Sequence, residues 1–109
     1  MSIPVDLESL PDEIERFGAN ALLVSNSPEG PPHVSSVIVT VEGGNLTMGA
    51  GRRTRTNTRQ RPEVTLVWTS AEVTEHCLIV DGTALAQPAE HLIVKPTSAV
   101  LHRLAAAEG

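Results

Sequence analysis

Leu46-Thr47-Met48-Gly49-Ala50-Gly51-Arg52-Arg53-Thr54-Arg55-Thr56-Asn57 is the stretch on which the reading of this chain turns. Its first half, Leu46–Ala50, reads as a short strand that stops at Gly51. A glycine there lets the backbone approach a ligand closely and expose successive N–H groups. Arginines and hydroxyls follow at once, offering fork-shaped and neutral donors suited to a phosphate. A helix starting at this point would add the attraction of its dipole. The segment Arg52–Arg61 has no apolar face and reads as a loop leading into a short helix, which Pro62 ends or follows. From composition alone two readings stand: a phosphate cradle, or a basic segment that is merely solvated.

Outward from this unit the chain alternates short β-branched runs with turn chemistry. Upstream, Glu42-Gly43-Gly44-Asn45 is a strong hairpin turn, and His33–Val41 is the long strand leading into it. Ser27-Pro28-Glu29-Gly30-Pro31 separates that strand from another at Ala19–Asn26. Ser9–Phe17 reads as a helix with Ser9 as N-cap, acids in its first turns and Gly18 closing it. Leu10, Ile14 and Phe17 share one helical face. Downstream, Val64–Thr69 and Cys77–Ala86 are strands, the second with a bulge or bend at Asp81-Gly82. Leu92–Lys95 and Ser98–Arg103 form a last strand broken at Pro96-Thr97, and Leu104–Gly109 reads as a frayed tail. Six short strands and few helices point to a barrel or sandwich.

The 109 residues are read as one domain, 1–109, whose limited core would gain from pairing with a second copy. Only Phe17 and Trp68 are aromatic, so the apolar content is Val, Leu, Ala and Ile. The lone Cys77 excludes an intrachain disulfide. The N-terminus lacks the charged and apolar regions of a signal peptide, and no apolar run is long enough for a membrane span. The expected location is therefore cytoplasmic, with no membrane partner. The net charge of −5 argues against a general nucleic-acid binder, as does the lack of aromatic stacking platforms. Yet Arg52, Arg53, Arg55, Arg59 and Arg61 crowd one ten-residue window, which suggests a local anionic ligand.

Other tempting residues read as structural. His33, His76, His91 and His102 lack metal-ligand spacing. Trp68 shares a strand face with Val64 and Leu66 and belongs to the core or a dimer interface, with stacking on a cofactor as the rarer reading. Cys77 reads as a small buried hydrophobe. Ser35 and Ser36 have no nucleophile-elbow setting, and Glu72 and Glu75 fall in a loop.

Taken in order, several segments resemble the pyridoxamine 5′-phosphate oxidase-like split-barrel proteins. Ala21-Leu-Leu-Val-Ser is similar to the first barrel strand, and Glu29-Gly-Pro-Pro-His33-Val-Ser-Ser-Val to the family's turn and second strand. Leu46–Gly51 is similar to the third strand, and the run to Asn57-Thr-Arg59-Gln-Arg-Pro62-Glu-Val64 to a segment ending Asn-x-Arg-x-x-Pro-x-Val. Asp81-Gly82-Thr83-Ala84 and Pro96-Thr97-x-Ala99-Val-Leu-His102-Arg103 are similar to the last two strands. The likeness spans roughly residues 17 to 103.

The resemblance implies a mainly β, six-stranded split barrel with one or two short helices, binding FMN or a deazaflavin. It implies a homodimer with flavin at the subunit interface. Val34, Ser35, Ser36 and Val37 would lie beside the ring, and Met48, Gly49 and Ala50 would meet the ring and ribityl chain. Backbone N–H groups near Val37 or Met48 would hydrogen-bond the ring. Arg52, Arg53 and Thr54 occupy the place of a Ser-Arg-Lys phosphate grip, with Thr54 in place of the lysine and Arg55 able to restore the charge. Asn57 and Arg59 match the following helix. Some relatives bind haem, for which His33 or His102 would be the axial ligand. Two departures stand out. Gln87–His91 is too short for the helix common between the last two strands, and the chain stops soon after Arg103. These leave two function classes open: a flavin-dependent oxidoreductase, or a non-catalytic flavin- or deazaflavin-binding module.

Overall fold

The computed structural model describes residues 2–70, 72, 73 and 75–103. Gly43 and Gly44 both take positive φ, 58° and 83°, the requirement of a two-residue hairpin turn whose twist matches that of its strands. On either side run β4 (Thr40–Glu42) and β5 (Asn45–Gly49), in register from Glu42↔Asn45 to Thr40↔Thr47. The other strands are β1 (Ser2–Pro4), β2 (Asn20–Ser25), β3 (His33–Ile38), β6 (Glu63–Trp68), β7 (His76–Ala86) and β8 (His91–Arg103). Two helices, α1 (Leu10–Phe17) and α2 (Arg52–Gln60), lie between them.

All the strand pairs are antiparallel, in the order β3-β2-β6-β7-β8-β5-β4, with β1 added to the end of β8. The two ends of that order, β3 and β4, are consecutive pieces of one bent strand. The sheet thus curls until its first and last members meet through Val39, which is buried and donates its N–H to the Ala19 carbonyl. Beyond Thr40↔Thr47 that closure stops, and a slit opens between β3 and the end of β5.

The mainly β expectation holds, and the strand count is corrected from six to eight. His33–Val41 divides at Val39 because its first half pairs with β2 and its second with β5, which a straight strand cannot do. β1 adds the eighth, a three-residue edge pairing too short to carry a periodic signal. The expected break at Pro96-Thr97 is absent. Asp81 faces Ser98 and Gly82 faces Pro96, so Thr97 bulges out and β8 continues past the proline. Gly82 is obligatory at this bulge, since a Cβ there would sit 2.6 Å from Val94 Cγ1 and 2.8 Å from the Lys95 carbonyl oxygen.

Inward-facing residues fill the barrel: Leu23, Leu66, Trp68, Leu78, Val80, Leu92 and Val94 are fully buried, and Met48 nearly so. Trp68 is therefore core. Cys77 is only half-buried, because the start of β7 lies at the sheet's margin; the buried reading is corrected on that point. α1 packs Leu10, Ile14 and Phe17 onto this core and ends at Gly18, whose φ is 103°. Ser9 makes no side-chain cap bond there; it closes a 3-10 turn, Leu7–Ser9, that runs into the helix. The tail expected at 104–109 lies outside the described residues. Among the described residues no helix is long and apolar enough to cross a membrane.

Candidate functional site

The helix α2 begins directly at Arg52, with Gly51 as its N-cap in extended conformation and no loop between. The first intrahelical bond runs from the Arg55 N–H to the Gly51 carbonyl, leaving the N–H groups of Arg52, Arg53 and Thr54 without helical partners. No side chain caps them and the first turn holds no acid, so nothing within the helix opposes the positive end of its dipole. Among the described residues Glu29 is the one acid lining the adjoining cavity. A Cβ placed on Gly49 or Gly51 would meet nothing within 4 Å, so the approach to this end is open.

Helical phase sorts the arginines. Successive residues turn about 100°, which places Arg53 and Asn57 on one side and Arg52, Arg55 and Arg59 on another. The buried side consists of Thr54, Asn57 and Thr58, a polar face that no apolar periodicity could announce. Thr58 satisfies itself by donating to the Thr54 carbonyl at 2.9 Å, and Asn57 Nδ2 donates to Ser25 Oγ at 3.2 Å, pinning α2 to the end of β2. Thr54 Oγ1 is buried without a partner.

Arg53 and Asn57 line a cavity of about 380 Å³ whose other walls are the turn from Ser27 to Pro32, His33 and Val34. Among the described residues Arg53 makes no ion pair, whereas Arg55 lies 3.7 Å from Glu90. From Val34 the exposed face of β3 continues through Ser36 to Ile38, into a second cavity of about 560 Å³ lined by Asn20, Leu22, Ser36, Ile38, Val67 and Thr69. Four residues of strand at about 3.4 Å each make this path roughly 14 Å long. β3 pairs only with β2, so its outer edge carries free N–H and C=O groups.

Of the twelve residues read as cofactor contacts, the fold brings Val34, Arg53 and Asn57 into one cavity and places Ser36 and Val37 on the next. Ser35 and Val37 turn their side chains toward the interior, as strand alternation requires. Met48 is buried, so only its backbone reaches the slit, next to the exposed Gly49 and half-buried Ala50. Arg52 is exposed at the helix start, while Thr54 faces inward and Arg55 turns to the β7–β8 turn. His33, read only as a haem ligand, and the Ser27–Pro32 turn join the corner without having been read as flavin contacts. Only the curl of the sheet brings that turn to α2. His102 lies far along the chain's last strand, 3.2 Å from Ser2 Oγ through Nδ1, and does not share the cavity with His33.

A curled antiparallel sheet with an open slit, closed by one bent strand and plugged by a polar-faced helix, defines a split barrel. No family model and no curated protein matches the sequence. Solved structures do match the fold. An F420 reductase aligns with a TM-score of 0.63 at 17% identity, over 74% of this chain and 88% of its own. A Mycobacterium smegmatis FAD binding protein gives 0.65 at 14%, over 94% and 100%. A Clostridium acetobutylicum protein of the pyridoxinephosphate oxidase family, related to general stress protein 26, gives 0.66 at 12%, over 91% of each. The chain has the split-barrel fold of the pyridoxamine 5′-phosphate oxidase-like proteins.

Proposed function

We propose that this chain is an FMN-binding protein that works as a homodimer, and that the flavin phosphate sits at the start of α2. The observation that carries the reading is the pairing of an uncapped helix end with Arg53, a guanidinium free of any ion pair among the described residues, over one cavity. A phosphate there would meet backbone donors, a fork-shaped cation and the helix dipole together. The residues fit the group: the approach at Gly49 and Gly51 is open, and about 14 Å of exposed β3 leads to an apolar groove able to take a ring. Val34, Ser36 and the free edge of β3 would lie along the isoalloxazine, with the backbone of Met48, Gly49 and Ala50 across the slit. Arg52, Arg53 and Asn57 would hold the phosphate. Thr54 would contribute through its N–H, and Arg55 only indirectly.

The flavin, when bound, supplies the redox chemistry. The chain's own residues anchor and orient it, and backbone N–H groups on the slit favour negative charge on the ring. None of its side chains is assigned an acid or base role. The reading is thus a flavin-dependent oxidoreductase of unassigned substrate. The F420 reductase with the same fold keeps a deazaflavin as the alternative cofactor, since both present a phosphate.

A second reading, a non-catalytic flavin-binding module, is favoured by the shortness of the β7–β8 connection, a single turn at Pro88–Glu90. Native mass spectrometry of freshly purified protein tests the binding: two chains with two flavins are expected, and a flavin-free monomer would overturn it. Bleaching of the yellow colour by a nicotinamide or a reduced deazaflavin then separates oxidoreductase from module.

A further inference from the structure

The turn between β7 and β8 grips the chain on both sides of Gly51. On the strand side, the Glu90 carbonyl accepts the Ala50 N–H at 3.0 Å. On the helix side, Gln87 Nε2 donates to the Arg55 carbonyl at 2.9 Å and to Thr58 Oγ1 at 2.7 Å. The Thr58 hydroxyl already donates to the Thr54 carbonyl, so its lone pairs are available to Gln87. The Glu90 carboxylate adds an ion pair to Arg55 at 3.7 Å. The grip is held in a strained backbone: Ala89 and Glu90 take φ of 48° and 67°, a region that residues with a Cβ rarely enter. Such conformations persist only where the surroundings over-determine them, and they concentrate beside functional elements.

We propose that Gln87, assisted by Glu90, is a positioning residue for anion binding at the start of α2. The inference rests on the reading that this helix end takes the flavin phosphate. A site made of backbone N–H groups works by preorganisation, since each donor must already point at the anion. The first turn of a nine-residue helix without a side-chain cap would otherwise fray. Gln87 holds the Arg55 carbonyl and Thr58, just after the three free N–H groups, and Glu90 holds Ala50 just before them, so the turn brackets those donors without lining the cavity. Arg55, which pairs with Glu90 and does not line the cavity, belongs to this clamp.

The test compares FMN with riboflavin, which has the same ring and no phosphate, by quenching of flavin fluorescence. The unsubstituted protein is expected to prefer FMN. Gln87→Leu removes both donor bonds. Gln87→Glu keeps the side chain's shape, so the fold survives, but turns only acceptors toward the Arg55 carbonyl. In each, FMN affinity should fall about ten-fold, the worth of one or two hydrogen bonds, with riboflavin affinity unchanged. Equal losses for both flavins, or full FMN preference in either folded variant, would overturn the positioning role while leaving the phosphate reading intact. Equal binding of FMN and riboflavin by the unsubstituted protein would overturn the phosphate reading and this inference with it.

Discussion

Arg53 and Arg59 have the same side chain on the same nine-residue helix, but they face different surroundings. Arg53 lines the cavity with Asn57, His33 and Val34, whereas Arg59 lines a separate hollow with Pro62, Ala84 and Gln87. Arg53→Ala should therefore weaken FMN binding by about 2–4 kcal/mol, the loss of a charged phosphate contact, and Arg59→Ala should leave it within about two-fold. Calorimetric titration of both variants checks this, and equal effects would contradict the assignment. Ser36, exposed on β3 opposite Leu22, is the matching position for the ring. Ser36→Glu should abolish flavin absorbance in the purified protein while the melting temperature stays near that of the unsubstituted chain. The arginine cluster was legible in the sequence, but its division between Arg53, which lines the cavity, and Arg55, which pairs with Glu90, was not. That division needs the helical phase, and the phase depends on the helix starting at Gly51 rather than after a loop. The inward turn of Thr54 follows from the same phase.

At the level of elements, the bulge of Thr97 opposite Asp81-Gly82 is what allows β8 to run past Pro96. Gly82→Ala would drive a Cβ into Val94 and the Lys95 carbonyl, and neither can withdraw without disturbing the β7–β8 pairing. The variant should lose about 1–3 kcal/mol of stability, read as a lower urea midpoint at unchanged slope. An unaltered midpoint would show that the bulge is softer than its packing implies. The Asp-Gly pair marked an irregularity at this point of β7, but the extra residue is Thr97 on the facing strand. The pair did not announce that the bulge rescues the proline, since that compensation exists only across the strand pair. Likewise His33–Val41 carries no internal mark of the division at Val39. Its apolar pattern is continuous, and the bend is imposed by closure of the barrel.

For the molecule as a whole, the outer face of the sheet remains unexplained by a single chain. Ser36, Leu22, Val67, Ile79 and Val100 stand in one row across five strands. Ile38, with 69% of its surface exposed, and Val34, with 53%, border it. In the proposed dimer a second copy laid across this face would also wall the groove proposed for the ring. Ile38→Glu should accordingly yield a monomer in native mass spectrometry, with the flavin lost alongside the dimer. A flavin-loaded monomer would separate the two. The split-barrel architecture was readable in the sequence through the order of weak segments rather than any one of them. In the proposed function the uncapped start of α2 is an anion site for a flavin tail. A crystal structure of the protein grown with excess FMN tests it most directly. The phosphate should lie against the N–H groups of Arg52–Thr54 with the Arg53 guanidinium upon it; a flavin bound elsewhere, or that helix end facing only solvent, would contradict the account.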